Sequence, residues 1–82
     1  MKSKTFSIKN IGTVTVKREF DEGPNESGCH YVIVFHFSYK NVPVSFYFPY
    51  DNETKQSAIF DNLTHEEVEN TVNNFILIQL GD

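Results

Sequence analysis

Hydrophobic and polar positions alternate strictly over most of the first fifty residues. Phe6 and Ile8 alternate with Thr5, Ser7 and Lys9, and Val14, Val16 and Phe20 alternate with Thr13, Thr15, Lys17 and Glu19. A period of two is the signature of a strand with one buried face, so residues 5–9 and 13–20 are predicted to form a hairpin. Asn10-Ile11-Gly12 suits a three-residue loop with Gly in the left-handed position of a bulge. In that register Ile8 faces Val14 and Phe6 faces Val16.

The strongest pattern lies in residues 29–39 and 42–50. Tyr31, Ile33, Phe35, Phe37 and Tyr39 form one face, and His30, Val32, Val34, His36 and Ser38 form the other. After Lys40-Asn41, Val42, Val44, Phe46, Phe48 and Tyr50 alternate with Pro43, Ser45, Tyr47 and Pro49. A two-residue loop pairs Tyr39 with Val42, Phe37 with Val44, Phe35 with Phe46 and Ile33 with Phe48. A slip of one residue would send all of these to the wrong side. Pro43 and Pro49 cannot donate to a ladder, so this strand is expected at an edge of the sheet.

Residues 21–28 are turn formers and charges and read as a loop. Residues 51–63 fit either a short helix through Ile59 and Phe60 or a brief extra strand. From Thr64 the period changes. Thr64 and Glu67 match a capping box, Leu63 and Val68 match the apolar staple outside it, and Val68, Val72, Phe75 and Ile76 share one helical face. The end, Phe75 to Leu80, is apolar nearly all round and reads as a buried helix end or a short strand. The expected architecture is α+β: a four-stranded antiparallel β-meander with a C-terminal α-helix packed on its Phe-rich face. Residues 1–82 form a single small domain, because a chain of this length has room for one core.

Composition narrows the class. The mixture is ordinary for a globular protein, with 39% apolar and 22% charged residues, and no apolar run is long enough to span a membrane. The start enters the alternating pattern directly, without the apolar core of an export signal. Cys29 is the single cysteine, which fits a reducing, cytoplasmic setting. Val, Phe, Asn and Ile abound, whereas Ala58 and Arg18 are the sole Ala and Arg. That bias suggests an AT-rich coding source, such as a bacterium or a phage or other mobile element.

Charge is segregated along the chain. Lys2, Lys4, Lys9, Lys17 and Arg18 precede every acid, whereas the eleven acids from Glu19 onward face two lysines, giving a net charge of −4 overall. Nucleic-acid binders carry a basic surface, so such binding, through Lys9, Lys17 and Arg18 with Tyr47 stacking, is disfavoured. The early lysines suit an edge strand that resists edge-to-edge pairing.

Chemistry-bearing motifs are sparse. His30 and His36 share a strand face six residues apart, about 20 Å, too far to hold one ion. Cys29 follows Gly28 without an evident base to activate it and falls on the core side. Glu66, Glu67 and Glu69 occupy a helix start, and Asp21 and Glu22 a polar loop, where solvated carboxylates lack the apolar pocket that acid–base work needs. No phosphate loop, nucleophile elbow or dinucleotide fingerprint occurs. No catalytic residue, metal site or cofactor is therefore assigned.

Surface remains. With the helix over the Phe35 and Phe46 side, the reverse face presents Val32, Val34, His36, Tyr47 and Pro49 as one patch, unless residues 51–63 or the C-terminal segment fold over it. Such a patch with an aromatic anchor marks a protein interface. Glu22, Glu26, Glu66 and Glu69 add acidic groups that suit a basic partner. The expected function is non-enzymatic protein binding: a small acidic inhibitor or adaptor docking on a larger, nucleic-acid-binding or host-defence protein. Self-association as a homodimer is a second use of the patch. The alternative class is a ligand-binding module with a small molecule held between sheet and helix or across a dimer.

Overall fold

The computed structural model describes residues 3–20 and 31–81. The chain forms strands β1 (Ser3–Ile8), β2 (Gly12–Phe20), β3 (Tyr31–Tyr39) and β4 (Val42–Tyr50), then helices α1 (Glu53–Asp61) and α2 (His65–Gln79). The strands make one antiparallel sheet in chain order, and both helices pack on the same face of it. The architecture is the expected α+β meander, with two helices in place of one.

The β3–β4 hairpin has the expected register throughout. Tyr39 pairs with Val42, Phe37 with Val44, Phe35 with Phe46 and Ile33 with Phe48. Its turn residues Lys40 and Asn41 both have positive φ, 51° and 68°, the pair of left-handed conformations that a type I′ turn needs.

The first hairpin differs from expectation. Phe6 pairs with Val14 and Ile8 with Gly12, two residues away from the predicted register. The loop is Lys9-Asn10-Ile11, closed by the Ile11 N–H donating to the Ile8 carbonyl at 3.1 Å. Asn10 takes the left-handed position at φ 70°, which asparagine tolerates, and Gly12 at φ 104° opens β2. A shift of two keeps every side chain on its own face, so Phe6, Ile8, Val14 and Val16 still point to the core.

The ambiguous segment 51–63 is helical. Asn52 caps α1, its side chain accepting from the Lys55 N–H at 2.9 Å, and Glu53 stands in the positive first turn. No basic residue lies in the last turn of α1. Lys4 of β1 supplies that charge: its Nζ donates to the Phe60 carbonyl at 2.7 Å and to that of Asp61 at 3.3 Å, over the Phe60 ring. Gln56, buried on the sheet side, donates through Nε2 to the carbonyls of Glu19 and Val32, a cross-strand pair of β2 and β3, and accepts from Arg18 Nε.

In α2 the capping box is complete: the Glu67 N–H donates to Thr64 Oγ1, and the Thr64 N–H donates to Glu67 Oε1, both at 3.1 Å. Val68, Val72 and Ile76 are buried against Ile8, Val14, Val16, Ile33, Phe35, Phe37 and Phe60. Phe75 stacks on Phe46 with ring centroids 4.2 Å apart, and Phe46 stacks on Phe35 at 5.0 Å. The predicted burial of the helix end is incorrect. Leu77, Ile78 and Leu80 are exposed, because Leu77 faces away from the sheet and Ile78 and Leu80 stand over open grooves beside β4.

Two stability outcomes follow. Phe35→Ala removes a side chain that is 3% exposed and is expected to destabilise by about 3–5 kcal/mol in urea unfolding. Thr64→Ala is expected to cost about 0.5–2 kcal/mol in the same measurement, through loss of the cap. Wild-type midpoints for either variant would contradict the packing described.

Candidate functional site

The helix-free face of the sheet carries the predicted patch, with Val34 paired to Tyr47, Val32 to Pro49 and His36 to Ser45. Neither helix covers it, since both pack on the Phe35 side. Its exposure is smaller than expected. Val32 is 6% exposed, flanked by Glu19 on β2 and Pro49 on β4 in an interior strand. Val34, His36 and Pro49 are half-buried, and Tyr47, on the outer strand, is open at 47%. The surface is therefore a tyrosine with a shallow apolar floor.

The face also holds a pair that the spacing did not single out. His36 Nδ1 lies 2.7 Å from Ser45 Oγ across the β3–β4 ladder. The register itself was the available signal, because it places residue 36 opposite residue 45. A nucleophile and base at this distance need a third group to orient the imidazole. The β2 neighbour of His36 is Thr15, which supplies no carboxylate. We read the contact as a cross-strand hydrogen bond that holds the hairpin.

The other predicted site residues separate. Glu66 and Glu69 lie on α2, in the opposite layer from Val34 and Tyr47, so the acidic and apolar groups do not form one patch. Glu22 and Glu26 lie outside the described residues, as do Cys29 and His30. Among the described residues no group of three or more His, Cys, Asp or Glu side chains could hold a metal ion, and no helix is long and apolar enough to cross a membrane. The basic residues are dispersed too. Lys17 projects on the helix-free face, whereas Arg18 turns to the helical side and reaches Gln56.

Folding turns the charge segregation of the chain into two layers. The helical segment from Asp51 to Gly81 carries Asp51, Glu53, Asp61, Glu66, Glu67 and Glu69 against Lys55, which pairs with Asp51 at 3.4 Å. The strands carry Lys4, Lys17, Arg18 and Glu19, and the two hairpin turns carry Lys9 and Lys40. On α2 itself, Glu66, Asn70, Asn73 and Leu77 share the outward row, and Leu77 is 61% exposed.

A third surface was not foreseen. Where α2 passes over β4, an open groove of about 370 Å³ is lined by Phe46, Phe48, Phe75 and Ile78, with Thr71 and Asn74 on its helical side. Phe48 is 41% and Ile78 72% exposed. The alternation of β4 does reveal Phe48, but α2 covers the sheet only as far as its own width allows. No family model matches the chain, and no curated protein or solved structure is significantly similar to it.

Burial raises the Tyr50 phenol above its usual value of 10.0. A raised value means that the folded state holds the neutral phenol more firmly than the unfolded chain does. The associated stability is present below about pH 10 and is lost as pH climbs beyond it. Tyr50→Phe is expected to flatten the fall in melting temperature between about pH 9 and pH 11. An unchanged alkaline slope would show that Tyr50 ionises freely.

Proposed function

We propose that this chain is a non-enzymatic protein-binding module, a small acidic inhibitor or adaptor that docks on a larger protein with a basic surface. The observation that carries this reading is the charge separation between layers: six acids and a single base in the helical segment, with no Lys or Arg on α2. A one-sign surface on a compact body raises the encounter rate with an oppositely charged partner and rejects like-charged ones. Glu66 and Glu69 lie near the start of α2 and exposed Leu77 near its end, so the helix offers a charged rim and an apolar contact.

The test is a pull-down from bacterial lysate with the wild type beside the Glu66→Lys/Glu69→Lys variant, followed by association kinetics with the captured protein. Both glutamates stand outside the capping box and the core, so the variant is expected to fold. The expected result is a partner held by the wild type and lost by the variant. Its association should slow by about tenfold or more between low and physiological salt, with dissociation changing less. Capture that is indifferent to charge reversal and to salt would overturn the reading.

A further inference from the structure

The outer edge of β4 is built to meet a copy of itself. The two-residue turn makes Tyr39 and Val42 a hydrogen-bonded pair, and such pairs alternate along an antiparallel ladder. Residues 42, 44, 46, 48 and 50 therefore bond to β3, while Pro43, Ser45, Tyr47 and Pro49 direct their backbone groups outward, where no further strand is present among the described residues. Pro43 and Pro49 lack the N–H and stand three residues either side of Phe46, the midpoint of β4. We infer that this chain forms a two-fold dimer by antiparallel pairing of β4 with β4 of a second copy, centred on Phe46.

In that register the nine residues of β4 overlap end to end. Ser45 of each copy faces Tyr47 of the other, so the N–H and carbonyl of both residues are used reciprocally in four hydrogen bonds. Each Pro43 faces a Pro49, and the positions that cannot donate meet one another. On the core side Val44 adjoins Phe48 of the other copy, and the two Phe46 residues form the close non-hydrogen-bonded backbone pair at the axis, with Phe75 stacked on each Phe46 ring beside the junction. A strand alone buries less than the roughly 800 Å² per partner of an ordinary stable interface. The groove supplies the rest, because Phe48 and Ile78, the exposed walls beside the edge, face the junction from both copies.

Charge complementarity favours the same occupant. β4 has no charged residue, so two copies of a chain of net charge −4 bring no like charges together along the strand. The same register sets the Lys40-Asn41 turn of one copy beside Asp51-Asn52 of the other, twice by symmetry. The opposite edge is less suited to such pairing: on β1 the outward Ser7 carbonyl already accepts from His65 Nε2 at 2.7 Å. Both helical layers of this dimer lie on one side of an eight-stranded sheet, which leaves the acidic surfaces open.

Sedimentation equilibrium of the full chain tests the pairing, with about 19 kDa expected against 9.5 kDa for a monomer. Ser45→Pro removes one outward donor per chain and leaves the backbone ladder to β3 in place, with Ser45→Ala as the control for the lost His36 contact, and is expected to weaken the dimer by about tenfold or more relative to that control. Ile78→Glu is expected to do the same from the helical wall, while Thr5→Pro on the outer edge of β1 leaves the dimer intact. Circular dichroism identifies any variant that fails to fold. Register is read independently from spin labels at Ser38→Cys in a Cys29→Ser background, whose backbone positions are expected about 25 Å apart across the axis. A monomer at millimolar concentration, a dimer unaffected by both Ser45→Pro and Ile78→Glu, or a label distance far from this value would overturn the inference. None of these outcomes bears on the Glu66 and Glu69 test.

Discussion

The reversal at Lys40-Asn41 is the constraint from which the rest of the structure follows. Two consecutive left-handed residues without glycine are costly, yet their twist matches that of the strands they join. Once the turn closes with two residues, parity assigns every side chain of β3 and β4 to a face. Ile33, Phe35 and Phe37 line up opposite Phe48, Phe46 and Val44, and the aromatic stack from Phe35 through Phe46 to Phe75 becomes available. The same parity turns both prolines of β4 outward, where a missing N–H breaks no bond. Any loop of odd length would instead expose the aromatic rows and direct proline nitrogens toward β3.

A sheet with one aromatic face needs a cover, and the helices are held in place by polar contacts as well as by apolar burial. Lys4 satisfies the last carbonyls of α1, Gln56 ties its first half to paired carbonyls of β2 and β3, and His65 joins the start of α2 to β1. Gln56 and His65 donate to sheet backbone and Lys4 donates to helix backbone, so each contact reads the position of a main chain rather than the identity of a side chain. Buried amides and carbonyls left without partners cost about 1–3 kcal/mol each, which penalises alternative placements of α1 over the same apolar surface. Apolar packing drives the layers together, and these contacts select one arrangement.

Much of this was legible in the chain because β-alternation and capping chemistry are local. The β3–β4 register, the Thr64 to Glu67 box and the buried row Val68, Val72 and Ile76 all follow from spacing. The first hairpin was less determined, since Asn10 and Gly12 both accept positive φ and either register keeps the apolar residues on one face. Helix α1 hid for a related reason: only Gln56 and Phe60 of its residues are buried, so it has almost no apolar period to read. Its signals were the Asn52 cap and Glu53, with the closing charge 56 residues away on Lys4. The surface was hardest to foresee. Exposure of Val32 and of Leu77 and Ile78 depends on how far neighbouring elements reach, which is a property of tertiary placement.

The two edges of the sheet show how one physical problem receives two solutions. An unpaired strand edge invites pairing with any other chain, and proteins blunt it with charge, proline or a cover. On β1 the cover is used, through His65 on the Ser7 carbonyl. On β4 the only device is the proline pair, and it is partial, because the donors of Ser45 and Tyr47 remain between the two rings. Complete blocking would place proline or charge at the centre of the strand, whereas here the centre is aromatic and uncharged. Prolines at both ends with donors between them confine pairing to the middle of the strand. A strand that is nearly symmetric about Phe46 in donors, in apolar rows and in its lack of charge is best satisfied by its own copy. Among the described residues β4 carries no acid and six acids lie in the helical segment, so the proposed self-pairing would leave those six in solvent for the proposed partner of opposite charge.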